Sequence, residues 1–222
     1  MAQHGNLENY VGKRDGFLKP KFTSLTTAIL SPCWCKHIFL EHAGLTMKPL
    51  RLVVFALLVG WFFVLPTSSQ AGMKARLVDK AWDGETIPDG QQCSHQGGNG
   101  STPALEISGI PPSTNEIAVA FNDDSFPLMG NGGHGVLAFA IDDVGLVTLP
   151  PIPGETNDLP EGVRSLVPHQ ATKKRYSPGT AYLPPCSGGL GNKYSITITA
   201  LKLSEDGHAR VLDQLWIPLG QY

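Results

Sequence analysis

A chain of 222 residues with 17 Lys and Arg, 19 Asp and Glu and 18 prolines is close to neutral and heavily punctuated by proline. From Gly72 onward the balance is ten Lys or Arg against sixteen Asp or Glu, about −6, which excludes a nucleic-acid partner because phosphate backbones call for clustered cations. Prolines spread through the chain exclude long helices.

In chain order, residues 1–46 hold Cys33, Cys35, His37 and His42, a C-x-C-x-H pattern without the second pair that a zinc site needs. They read as a mis-assigned or disordered extension ahead of the true start. Residues 47–71 have the layout of a secretory signal peptide: Lys48 and Arg51, an apolar run over 52–65, then Ser69-Gln70-Ala71. The run of 14 residues is short of the roughly 20 that span a bilayer. No Cys follows it, so a lipid anchor is not indicated. The expectation is an exported protein, periplasmic or extracellular, of one domain over 72–222, with no integral membrane anchor after cleavage. Cys93 and Cys186 remain there, and an oxidising compartment permits them to pair.

Strands are expected over 75–78, 104–108, 116–122, 136–141, 194–201 and 211–217. In 194–201, Tyr194, Ile196 and Ile198 alternate with Ser195, Thr197 and Thr199, which reads as one apolar and one solvated face. Pro and Gly clusters separate the strands. Residues 142–182 show little periodicity and read as loops, with Lys173, Lys174 and Arg175 in a solvated one. The fold class is therefore all-β, an antiparallel β-sandwich or barrel with long loops and little helix.

A succession of motifs follows the same order as in a known family: "DGETIP" from Asp83, Cys93, "GNGSTPALEI" ending at Ile107, Asp123 with Pro127 and then His134, "LPEG" from Leu159, "YLPPCSGGLGNKY" from Tyr182 to Tyr194, and the terminal "VLDQLWIPLGQY". So ordered, 72–222 resembles the phosphatidylethanolamine-binding protein (PEBP) family, especially its bacterial Raf-kinase-inhibitor-like branch. The resemblance implies a flattened sandwich with a small anion pocket at one end, around Asp123, His134 and Tyr194, rimmed by Pro184 and Pro185. It also places Cys93 and Cys186 near that rim, making them a disulfide candidate. The chain departs from the pattern: Asn192 stands where the family has a second His, Lys193 replaces Arg, Asp124 and Ser125 replace Pro and Asp, and Gly135 replaces Trp. The stretch 201–211 is too short for the helix that many bacterial members carry there.

These residue types suit an anion. His134 leaning on Asp123 would hold a raised pKa and donate a hydrogen bond. Tyr194 would add a hydroxyl and Asn192 an amide. Gly132, Gly133 and Gly135 would let backbone N–H groups form a concave nest. The plainer alternative is a turn whose histidine ring is bonded to a nearby carbonyl, and the spacing to Asp123 is what favours the site. His95, His169 and His208 read as surface residues. No cofactor or metal is expected, since Asp123, Asp124 and His134 complete no zinc or calcium spacing.

The leading function is an exported, non-catalytic protein that binds a small anion or phosphorylated headgroup and modulates a protein partner. The alternative is an interaction module, such as a protease inhibitor, with a degenerate pocket. A hydrolase using His134 is a distant third, because no Gly-x-Ser-x-Gly elbow is present.

Overall fold

Short β-branched segments between Pro and Gly turns leave this chain little choice but strands, and the computed structural model, which describes residues 72–171 and 180–222, has eight of them. The expectations for 1–46, for the signal peptide at 47–71 and for Lys173, Lys174 and Arg175 lie outside the described residues. The strands are β1 (Lys74–Leu77), β2 (Leu105–Ser108), β3 (Glu116–Asp123), β4 (Val136–Ala140), β5 (Leu146–Leu149), β6 (Val163–Val167), β7 (Lys193–Leu203) and β8 (Ala209–Gln221). They form an antiparallel sheet in the order β1-β2-β5 and a second antiparallel sheet in the order β6-β4-β3-β7-β8. The all-β antiparallel class is thus the observed one. Among the described residues no helix is long and apolar enough to cross a membrane.

The pleat sends alternate residues to opposite faces. Ile117, Val119 and Phe121 of β3, Leu137 of β4, and Ile196 and Ile198 of β7 share one buried cluster with Leu105 and Ile107 of β2 and Leu149 of β5. The core is therefore shared by the two sheets, and each such aliphatic side chain contributes about 1.5–3 kcal/mol on burial.

Two expectations need correction. Residues 142–182 are not loops throughout, since β5 and β6 lie within them. Four-residue β5 follows "DDVG" and runs into Pro150, and "VRSLV" of β6 is half-buried at every position, so neither shows a clear alternation. Nor is the second face of β7 solvated: Ser195 and Thr199 are fully buried. β7 is paired on both sides, and its hydroxyls are satisfied across the strands rather than by water. The Asn122 amide donates to Ser195 Oγ and Thr197 Oγ1, both at 3.2 Å, and Gln214 Nε2 donates to Thr199 Oγ1 at 3.1 Å. The short 201–211 stretch forms the β7–β8 hairpin. At the opposite end of β7, Tyr194 pairs in register with Asp123 of β3, which sets up the site.

Candidate functional site

Asp123 ends β3 and starts a tight turn. Its Oδ1 accepts the backbone N–H groups of Ser125 (2.9 Å) and Phe126 (3.1 Å), a local turn of the kind Asp favours. Its Oδ2 accepts the Asn192 amide at 2.6 Å, and the Asp124 N–H donates to the Lys193 carbonyl at 2.8 Å, so the 123–126 turn is fastened to the start of β7. Asp123 and Asn192 are thus brought together, with one amide N–H on the carboxylate and Asn192 outside the lining of the recess described below.

The turn that follows answers why a histidine sits among glycines. Gly132 N–H donates to Asn122 Oδ1, Gly133 N–H to the Gly130 carbonyl, His134 N–H to the Phe121 carbonyl and Gly135 N–H to the Gly132 carbonyl. With all four donors used internally, the expected anion nest is absent. A Cβ at Gly133 would run into the Met129 backbone, and one at Gly135, whose φ is +115°, would run into the Ala181 carbonyl. Gly133 instead lets the turn close on Met129, and Gly135 lets segment 181–183 lie directly on it. There His134 is clamped twice to Leu183: the Leu183 N–H donates to the His134 carbonyl at 2.9 Å, and His134 Nδ1 lies 2.8 Å from the Leu183 carbonyl.

A carbonyl only accepts, so Nδ1 carries the proton and the neutral ring's Nε2 is a lone-pair acceptor. The expected His134–Asp123 hydrogen bond is not formed, since both Asp123 oxygens are engaged elsewhere. Nor is the imidazole pKa raised. Burial pushes it below the ordinary value and outweighs the Leu183 carbonyl, the Asp123 charge and the Pro184 carbonyl, which act upward, while His169 acts downward. His169 itself is buried, contrary to the surface placement expected of it, while His95 and His208 are exposed. Its N–H donates to the Thr180 carbonyl and its Nδ1 accepts the Ala171 N–H, which draws it inward beside the same clamp.

Tyr194 presents its ring edge-on to His134, centroids 5.4 Å apart and planes at 90°. Its hydroxyl oxygen accepts the Cys186 N–H at 3.2 Å, and burial holds the phenol's pKa above the ordinary value, so it stays protonated. His134 and Tyr194 line a small recess, partly open to solvent, with room for about one water-sized group. Its apolar walls are Phe121, Tyr182, Leu183, Pro185 and Leu219, and Asn122 and Ser195 add polar edges.

Of the residues expected at a pocket, His134, Tyr194 and Pro185 line the recess, and Asp123 and Asn192 brace it from outside. Pro184 is not a rim residue: it is buried against Gly100 and Gly154, where any Cβ would overlap its ring. Leu183 and Leu219 were missed because they come from distant segments with no local signal. Asn122 and Ser195 did have one, as polar residues inside apolar strands. Ser195 Oγ donates to Asp124 at 3.0 Å, and burial raises the pKa of that carboxyl.

Cys93 and Cys186 form a disulfide with Cα atoms 5.4 Å apart. Beside it the Cys93 N–H donates to the Pro185 carbonyl at 3.0 Å, so the bond anchors the loop whose next N–H holds Tyr194.

No family model and no curated protein matches the chain. Among solved structures, one similar protein is from Chlamydia trachomatis and is described as a PEBP homolog: it is 18% identical, with a TM-score of 0.42, over 68% of this chain and 97% of that one. Another, from Escherichia coli and described as a new member of the mammalian PEBP family, is 23% identical, with a TM-score of 0.41, over 60% of this chain and 78% of that one.

Proposed function

We propose that the chain is an exported, non-catalytic binding protein of the PEBP type, taking a small ligand end-on in the recess between His134 and Tyr194. The observation that carries this reading is convergence: the β3 end, the glycine turn, the 181–187 loop and the start of β7 meet there, each tied to the next by named hydrogen bonds. Export rests on the signal-like stretch 47–71. The non-catalytic reading is supported by Ser195, the serine that lines the recess with His134. It is fully buried, and its hydroxyl donates to Asp124 and accepts from Asn122, so it is held as structure and not poised as a nucleophile.

The test is a titration of the purified protein with acetate, phosphate and phosphoethanolamine, following the His134 ring and the backbone amides around the recess by NMR, with His134→Ala, read on the amides, and Tyr194→Phe as controls. Saturable shifts lost in both variants support the reading; no saturable shift at any pH between about 5 and 8 removes it.

A second reading, a protein-interaction module such as a protease inhibitor, draws on one observation. Phe126 (47% exposed), Leu128 (73%) and Leu190 (81%) project from two loops that Lys193 N–H to Ser125 Oγ and Asn192 to Asp123 fasten together. Inhibition of at least one member of a serine-protease panel, lost on Leu128→Asp, would favour it; no inhibition across the panel would remove it.

A further inference from the structure

The polar atoms at the recess are matched to a different ligand from the one the family pattern implies. An anion is held by donors converging on it, ideally with a cation among them. Among the described residues that line the recess there is no Lys or Arg. The backbone N–H groups of 132–135 are spent within the turn, on the Asn122 side chain or on the Phe121 carbonyl. The Asn192 amide, standing where a second histidine would serve an anion, gives one N–H to Asp123, and the residue does not line the recess.

What remains is one donor and one acceptor. The Tyr194 oxygen already accepts the Cys186 N–H and has the Ser187 backbone and hydroxyl beside it, so what it can turn toward the recess is its own O–H, as a donor that Ser187 Oγ competes for. His134 Nδ1 is fixed as a donor by the Leu183 carbonyl, which leaves Nε2 as an acceptor. Both residues line the recess, their rings edge to face with centroids 5.4 Å apart. A donor next to an acceptor is the complement of a carboxylic acid group that keeps its proton: the carbonyl oxygen accepts from Tyr194 and the acid O–H donates to His134.

Resting on the binding reading above, we infer that the recess takes the carboxyl end of a small monocarboxylic acid together with one proton and rejects phosphate dianions. Room for about one water-sized group suits the tip of a carboxyl, the rest of the ligand lying toward solvent, and does not suit a tetrahedral phosphate. Phe121, Pro185 and Leu219 put apolar walls beside that proton. Four titratable groups face the ring. Asp123 at the β3 end favours a charged ring, His169 beyond β6 opposes it, and Tyr194 of β7 and Tyr182 of the 180–192 segment are both held neutral by burial. Burial also keeps the free ring unprotonated at neutral pH, so the bound proton must come from solvent on binding.

The test measures acetate, acetamide and inorganic phosphate affinities of the purified protein between about pH 6.5 and 8.5, by calorimetry or by the His134 ring signals. In this window free acetate and the free ring are both deprotonated, so uptake of one proton weakens acetate binding about tenfold per pH unit. Acetamide presents the same acceptor and donor without titrating, so its affinity stays flat, and phosphate does not bind. Tyr194→Phe and His134→Ala lose both acetate and acetamide. Acetate binding that is level with pH, or phosphate binding at pH 8.5, overturns the inference while leaving a binding pocket. Absence of binding by all three overturns the pocket itself.

Discussion

Replacing Gly135 by Ala tests whether the glycine turn exists to seat the 181–183 segment on His134. At φ +115° an L side chain is strained by about 2 kcal/mol. The new methyl would also lie 3.2 Å from both the Ala181 carbonyl carbon and Tyr182 Cα, on top of its overlap with the Ala181 carbonyl oxygen. That backbone cannot yield freely, because Ala181 N–H is bonded to the Thr156 carbonyl and Leu183 N–H to the His134 carbonyl. Relieving the overlap sacrifices one or two of these bonds at about 1 kcal/mol each. The expected loss is thus about 4 kcal/mol, near 10 °C in Tm for a domain of this size. Gly162→Ala is the control, since its φ of +77° carries the strain but nothing lies within 4 Å of the added methyl, so it should cost about 1 kcal/mol. Urea unfolding of the two variants against the parent gives both values. A Gly135→Ala loss no larger than that of Gly162→Ala would show that the close approach is not needed and refute the reasoning.

The Cys93–Cys186 bond spans 93 residues, so its removal by Cys93→Ser with Cys186→Ser should cost up to about 4 kcal/mol through the freed unfolded chain; urea midpoints with and without reductant check this, and a loss under about 1 kcal/mol would contradict it. His134, with its folded pKa below the unfolded value of about 6.5, binds its proton more readily when unfolded, so the stability from keeping it neutral is fully present above about pH 6.5 and is lost as pH falls toward the folded value. His134→Gln should flatten the stability profile below about pH 6.5, and an unchanged slope would show that the ring is not the group responsible.

What was legible in the sequence follows from how local each determinant is. β3 alternates large apolar residues with alanines and β7 alternates apolar residues with hydroxyls, and six of the eight strands were expected close to where they lie. β5 and β6 escaped because one is a short run between the DDVG turn and Pro150 and the other is half-buried on both faces, so neither shows a clear alternation. The solvated face assigned to Ser195 and Thr199 failed for a different reason: hydroxyls in a strand also suit a buried face when Asn122 and Gln214 arrive from the strands on either side. At the site, the positions of Asp123, His134 and Tyr194 were legible but their partners were not. Asp123 satisfies itself within three residues and takes Asn192 from β7, while His134 takes a carbonyl 49 residues away. No local pattern announces that carbonyl, and it decides the tautomer. Pro184 and Pro185 look equivalent in the sequence, yet one fills a gap between two glycines and the other walls the recess.

The most direct measurement is the protonation state of the two His134 ring nitrogens by nitrogen-15 NMR at pH 7, before and after saturating acetate. The account predicts a neutral ring in the free protein, protonated at Nδ1 with an unprotonated Nε2, and an acetate-induced change centred on Nε2 that Tyr194→Phe abolishes. A ring already protonated at both nitrogens in the free protein, or one unmoved by acetate at any concentration, would contradict it.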